Sequence, residues 1–192
     1  MSVSRRWTVA DLEQIEPVDG MRYEVIDGEL YVTHAPSWRH QVVASKINTA
    51  FENWSSETGL GTTMQVPGLV FSAESGVIPD VVWSSWDQLW AAEDRAGHFT
   101  LAPELVVEIV SPGSENERRD RQTKLALYSR EGVKEYWIVD LQGRSIDIFR
   151  RAGSDLEFVM TLAGDDILES PLLPGFRLEI ARIWPPMRRG PA

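Results

Sequence analysis

Two carboxylates stand where the surrounding text is otherwise apolar. Asp80 follows Pro79 at the head of Val81-Val82-Trp83, and Glu108 interrupts Leu105-Val106-Val107-Glu108-Ile109-Val110. A buried, unpaired carboxylate is costly, or it takes up a proton and becomes neutral. Each therefore requires a partner: a base, a set of hydrogen-bond donors, or a metal ion. Strand alternation places Val106, Glu108 and Val110 on one face and Leu105, Val107 and Ile109 on the other. A structural Glu–Arg pair would satisfy Glu108 as well as a functional partner would. Lys124, further along, shares a helical stripe with Asp120 at i−4 and Tyr128 at i+4, and that stripe could lean over the strand ends. The plainer alternative is an exposed lysine with its stem along the surface.

The densest basic stretch is Arg118-Arg119-Asp120-Arg121-Gln122-Thr123-Lys124, at net +3. If the protein meets a phosphate, this stretch with Arg121 at its centre is the expected contact; otherwise it is a solvated helix face. The chain as a whole is acidic, with 19 basic and 29 acidic residues and a net charge of −10, which argues against a nonspecific polyanion binder. It has no cysteine and three histidines, His34, His40 and His98. Disulfides, thiol nucleophiles and zinc ribbons are thereby excluded, and any metal site must be built from oxygen ligands. With 192 residues, 43% hydrophobic and 25% charged, the composition is that of a globular protein with one core. No apolar run is long enough to span a bilayer, and no apolar segment follows Arg5-Arg6, so a cytoplasmic protein is expected.

The elements that must position these groups are legible in part. Thr8 and Asp11 form a capping box for a short helix. Asp27-Gly28 between two strand-like runs signals a hairpin with a type I′ turn. Ser37 caps a long helix that ends near Gly59, with Val43, Ile47, Ala50, Phe51 and Trp54 on its inward face. Strands are expected at 62–66, 69–71, 77–83 and 104–110, and a short helix over 86–94 behind Ser85. A second helix runs from about Asn116 to Arg130 and stops at Gly132. A meander follows over 135–140, 144–149 and 156–162, while 176–184 is ambiguous between strand and helix.

Taken together, several blocks resemble the PD-(D/E)xK nuclease superfamily and, within it, the Uma-two family of restriction endonucleases. They are Tyr23-Glu24-Val25-Ile26-Asp27-Gly28-Glu29-Leu30, Pro79-Asp80-Val81-Val82, Leu105 to Pro112, Asp120 to Tyr128, and Gly132-Val133-Lys134-Glu135-Tyr136-Trp137-Ile138-Val139-Asp140. Their order along residues 20–140 is more specific than any one block. The resemblance implies an α/β (α+β) domain with a restriction-endonuclease-like core. That core is a four- to five-stranded mixed sheet flanked by helices, with an N-terminal hairpin and a C-terminal β-meander. Residues 1–192 would form one domain, with the core at 20–140, a β extension at 141–184 and a tail at 185–192.

The resemblance also implies a metal-dependent phosphodiester hydrolase acting on DNA, with Asp80 and Glu108 as ligands for Mg2+, or for Mn2+ in its place. Glu24 matches the family's upstream acidic position and would join the site directly or through water. The superfamily's lysine position, two residues after the glutamate, is Val110 here; the family pattern puts the lysine in the following helix, at Lys124. His40 matches a family position at the start of the long helix, where it would touch a phosphate, carry a proton or simply pack. Two other readings stay open. One is an inert, self-associating module, a homodimer held by a stripe of Trp83, Trp86 and Trp90. The other is the same hydrolysis on RNA or structured nucleic acid.

Overall fold

The structure, a computed structural model, describes residues 5–92, 100–110 and 119–186, with only the backbone of Asp120. A short helix, α1 (Val9–Leu12), carries the expected capping box between Thr8 and Asp11. The hairpin of β1 (Met21–Ile26) and β2 (Glu29–His34) closes on Asp27 and Gly28, at φ 51° and 80°, with Ile26 opposite Glu29. This is the two-residue turn with both central residues left-handed that Asp-Gly favours. Helix α2 (Trp38–Thr58) begins at Ser37, whose Oγ accepts from the His40 amide, and stops at Gly59 with φ 69°. Val43, Ile47, Phe51 and Trp54 are buried along one face, as their spacing requires.

The next strands divide between two sheets. β3 (Gly61–Gln65) and β6 (Val81–Ser85) join a large sheet, whereas β4 (Leu69–Ser72) and β5 (Ser75–Val77) join β1 and β2 in a small antiparallel one. The single strand expected over 77–83 is therefore two. Pro79 lacks an N–H and cannot continue a ladder, so the chain leaves β5, bends through Ile78-Pro79-Asp80 and enters the other sheet as β6. Helix α3 (Trp86–Ala92) follows, its Gln88 amide donating to Ser85 Oγ; the expected end at 93–94 lies outside the described residues.

The large sheet is completed by β7 (Leu105–Val110), β8 (Glu135–Asp140), β9 (Ser145–Ala152) and β10 (Asp155–Ala163), in the order β10-β9-β8-β7-β6-β3. It has six strands rather than four or five, because the C-terminal meander adds β9 and β10 to the same ladder instead of standing beside it. β7 and β8 are parallel, with Leu105 opposite Glu135 and Val110 opposite Asp140. The segment joining them includes a π-helical turn (Arg119–Lys124) running into α4 (Leu125–Glu131), which ends at Gly132 with φ 93°. Residues 116–118 of the expected helix, and Ser111-Pro112 of the resembling blocks, lie outside the described residues, as does His98. A hairpin of β11 (Ile167–Ser170) and β12 (Leu173–Glu179) leads into α5 (Ile180–Ile183), so the ambiguous 176–184 stretch is strand and then helix.

Every residue of β7 is buried, and its alternation separates two cores. Leu105, Val107 and Ile109 pack in the cluster that holds the inward face of α2, together with β12 and α5. Val106 and Val110 pack in the cluster that holds Leu127 and Tyr128 of α4 and Ile26 of β1. Glu108 faces this second layer, between α4 and the small sheet. Trp83 is buried in the first core, while Trp86 and Trp90 are exposed and stacked with centroids 5.8 Å apart, so the tryptophan stripe is split.

Candidate functional site

Lys124 is 1% exposed, and its Nζ lies 2.9 Å from Glu108 Oε1 and 3.0 Å from Glu24 Oε1. It reaches them from the end of the π-helical turn. Such widened turns re-aim side chains and occur often at functional sites. The Tyr128 hydroxyl donates to the same Glu108 oxygen at 2.7 Å. Lys124 and Tyr128, four residues apart, thus grip one carboxylate from one helical face. The side chain of Asp120, the third member of that stripe, lies outside the described residues.

Asp80 is 4% exposed and lies next to this group. Its Oδ2 accepts from the backbone amide of Ile109 at 2.8 Å and lies 3.0 Å from His40 Nε2. Its Oδ1 is 3.3 Å from Arg22 Nη1. The bend between the sheets ties the two halves of the site together. The Ile78 amide donates to Glu24 Oε1 at 2.8 Å, and the Ile78 carbonyl accepts from Arg22 at 3.2 Å. Glu24 Oε2 also faces Arg119, at 3.8 Å. The structure therefore brings together Glu24, Asp80, Glu108, Lys124, Tyr128 and His40. Arg121 instead pairs with Asp147 of β9.

Two arginines complete the group, and neither had been singled out from the sequence. Arg119 lay in the basic run without distinction from its neighbours. Arg22 sits two residues before Glu24, hence on the same face of β1, and an Arg-x-Glu pair entering an otherwise apolar strand was the available signal.

The electrostatics follow from burial opposed by cations. Burial pushes the Glu24 carboxyl up, but the charges of Lys124 and Arg119 and the Ile78 amide outweigh it and hold Glu24 below its ordinary range. Burial likewise raises Asp80, and the His40 hydrogen bond and charge, the Ile109 amide and the Lys124 charge bring it down. Burial pushes the Tyr128 phenol well up, and the charges of Glu108 and Glu24 add to that, so its hydroxyl remains a donor. Such a group can hold and orient charge, position a proton and supply hard oxygen donors. Asp80 and Glu108 offer hard carboxylate oxygens, and the Lys124 ammonium contacts both Glu24 and Glu108.

The six-stranded mixed sheet with helices against it is a fold shared with a solved structure. A crystal structure titled "putative nuclease belonging to DUF820", from Anabaena variabilis ATCC 29413, matches with a TM-score of 0.74 at 16% identity, over 92% of this chain and 96% of that one. That likeness shows a shared fold. The chain belongs to the Uma2 family, described as "Putative restriction endonuclease", whose profile matches residues 9–181. An uncharacterized protein of Synechocystis sp. (strain ATCC 27184 / PCC 6803 / Kazusa), slr1290, is 23% identical over 151 residues, 77% of this chain and 76% of that protein. No helix among the described residues is long and apolar enough to cross a membrane.

Proposed function

We propose that the chain is a single catalytic unit, a divalent-metal-dependent nuclease that hydrolyses a phosphodiester bond of DNA in the cytoplasm. The observation that carries the reading is the convergence of Glu24 and Glu108 on one buried lysine, with Asp80 joined to them through Ile109 and the 78–80 bend. So many ionised groups are an expensive way to stabilise a core. They sit where perturbed titration and buried charge mark functional sites.

The donor set fits Mg2+, with Mn2+ as its substitute. Asp80 and Glu108 offer hard oxygens, and Mg2+ is typically held by one or two carboxylates, with water and substrate phosphate completing its shell. A pair is therefore sufficient, although among the described residues no group of three acidic or histidine side chains stands at ligand spacing. When bound, the ion supplies Lewis acidity to the phosphoryl group and acidifies a water. The chain's own residues do the rest. Lys124 opposes the charge that grows on the phosphate. Tyr128 fixes the rotamer of Glu108, and His40 with the Ile109 amide fixes that of Asp80. Glu24 holds the Lys124 ammonium in place from the opposite side.

The test is cleavage of supercoiled plasmid DNA by wild type and Glu108→Gln, with Mg2+ or Mn2+ and with EDTA. Wild type is expected to nick or linearise the plasmid only with metal, and the variant to do neither. Cleavage of RNA and not of DNA would move the substrate to the other nucleic acid. Wild type inert on both, with no metal-dependent rise in melting temperature, overturns the reading.

One observation favours a second reading, that of a self-associating module. Trp86 and Trp90 form an exposed stacked pair beside Leu60, whose carbonyl accepts from the Trp86 amide and whose side chain is also exposed. Exposed aromatic anchors suit a homodimer contact. Sedimentation of wild type against a Trp86→Ala/Trp90→Ala variant tests it: a dimer that becomes a monomer supports this reading, and a wild-type monomer removes it.

A further inference from the structure

Arg39 and Arg144 differ from most arginines of this acidic chain; Arg151 meets only backbone carbonyls, and Arg5 covers Trp7 while pairing with Asp11. Arg22, Arg119, Arg121, Arg130 and Arg150 each face a carboxylate, as expected where 29 acidic residues meet 19 basic ones. Arg39 and Arg144 lie instead against tryptophan rings. Their guanidinium carbons are 4.7 Å from the Trp38 ring centroid and 5.6 Å from that of Trp184. Among the described residues neither is paired with an acidic side chain. The two line one cavity of about 260 Å³, walled by Gln142, Trp184, Leu141 and two prolines, and among the described residues no acidic one lines it.

A guanidinium laid on an aromatic ring is oriented while its N–H edge stays available. That edge matches the oxygens of a phosphate group in a bidentate way. The turn that delivers Arg144 is itself fixed: Asp140 Oδ1 accepts from the Gln142 and Gly143 amides at 2.8 and 2.9 Å. Arg144 then adopts φ 52°, a conformation unfavourable for a residue with a Cβ.

The cavity also lies at the end of the sheet that carries the acidic cluster. Asp140 pairs with Val110, two residues beyond Glu108, and the chain turns into 141–144 from there. Arg39 immediately precedes His40, whose ring contacts Asp80 at 3.0 Å.

We propose that this cavity is a phosphate subsite, holding a backbone phosphate of the nucleic-acid strand next to the bond at the Glu108–Lys124 cluster. It rests on the nuclease reading and deepens it, because it supplies a cationic grip with no acidic lining among the described residues on a chain of net −10.

Binding measured in EDTA separates this from catalysis. The probe is a short fluorescently labelled DNA duplex, followed by anisotropy over a range of salt, with wild type, Arg39→Ala/Arg144→Asn and Arg39→Lys/Arg144→Lys. Asparagine tolerates the left-handed backbone at 144. The neutral variant is expected to bind about tenfold more weakly at moderate salt and to lose roughly 1 from the slope of log K against log salt, for the one phosphate no longer held. The lysine variant should regain most of the slope. A second arm titrates inorganic phosphate as competitor against the same complex. If the neutral variant loses only its sensitivity to inorganic phosphate while duplex affinity and slope are unchanged, the cavity is a free-phosphate site and the proposal fails. Equal affinity and slope in all three proteins, or a wild type that does not bind the duplex, also overturns it. Loss of binding in the neutral variant, beside a wild type that binds the duplex but never cleaves it, would retain the subsite and discard the nuclease reading instead.

Discussion

Lys124 reaches Glu108 across sixteen residues of chain, Nζ to Oε1 at 2.9 Å, in a place that is 1% exposed. The ammonium is enclosed between two carboxylates, and removing it leaves each with weaker compensation in a buried place.

Replacing Lys124 should accordingly be far more damaging than replacing a surface lysine. Lys124→Met removes the cation that Glu24 and Glu108 share in a buried site, leaving Arg119 and the Ile78 amide on Glu24 and the Tyr128 hydroxyl on Glu108, at a cost of about 3–5 kcal/mol. Urea unfolding measures it. Adding Glu108→Gln to that variant should restore a large part of the loss, since one of the two under-compensated charges is gone. A double variant no more stable than the single one would show that the pair is not coupled.

Glu108→Gln alone tests the metal. Wild type at a hundredfold excess of Mg2+ or Mn2+ over Kd should gain about 2.7 kcal/mol, or roughly 5–10 °C in melting temperature for a chain of this size. The variant should show no such rise. Equal rises in both proteins would place the ion somewhere other than Glu108.

Tyr128→Phe removes one hydrogen bond to a charged oxygen and little volume, so a loss of about 1.5–3 kcal/mol is expected. The folded phenol titrates above its ordinary range, so the native state keeps a proton that the unfolded chain gives up near pH 10. This contribution is complete below that value and declines as pH rises above it. Wild type should therefore lose more stability than the phenylalanine variant between pH 9 and pH 11, read by urea midpoints. Parallel curves would mean that the phenol is not held neutral.

Acid acts with the opposite sign. Glu24, Asp80 and, outside the site, Glu104 all titrate below their ordinary range. Burial works against each and nearby donors prevail: for Glu104 these are Lys134 at 2.7 Å and the Ser85 amide, also at 2.7 Å. Their stabilisation is present above the unfolded carboxylate range, about pH 4, and is lost as pH falls through the lowered values. Stability should thus hold from neutrality to about pH 5 and drop steeply below. Glu104→Gln should make that acid limb shallower; an unchanged limb would remove Glu104 from the account.

The sequence was most informative where one local rule decides the outcome. Asp27-Gly28 admits few turns, Ser37 and Gly59 are strong helix stops, and the alternation in β7 could place Glu108 on only one face. Long-range partners were harder to see. Nothing local distinguishes the buried Lys124 from a solvated one, because its burial depends on β1 docking Glu24 over α4. The switch of sheets at Pro79 was hidden inside an apolar run that read as one strand. The sixth strand was missed for a related reason: a meander shows its hairpins in the text but not which sheet its edge will join. Arg144 depends on backbone geometry that spacing does not encode, whereas the Arg-x-Glu spacing was a signal for Arg22.

The parallel pairing of β7 with β8 has a consequence for how the protein is made. A parallel pair cannot close as a hairpin; it waits for the intervening segment to cross over, and contacts between distant parts of a chain form slowly. Glu108 lies on one side of that crossover and Lys124 within it, while Glu24 arrives from a hairpin 100 residues earlier in the sequence. The local turns are free to form early, yet the charges meet only when the crossover is seated. Assembly of the acidic centre is thus expected among the last events of folding. In stopped-flow refolding, a phase that Lys124→Met slows early would contradict this order, whereas faster unfolding with an unchanged refolding rate would fit it.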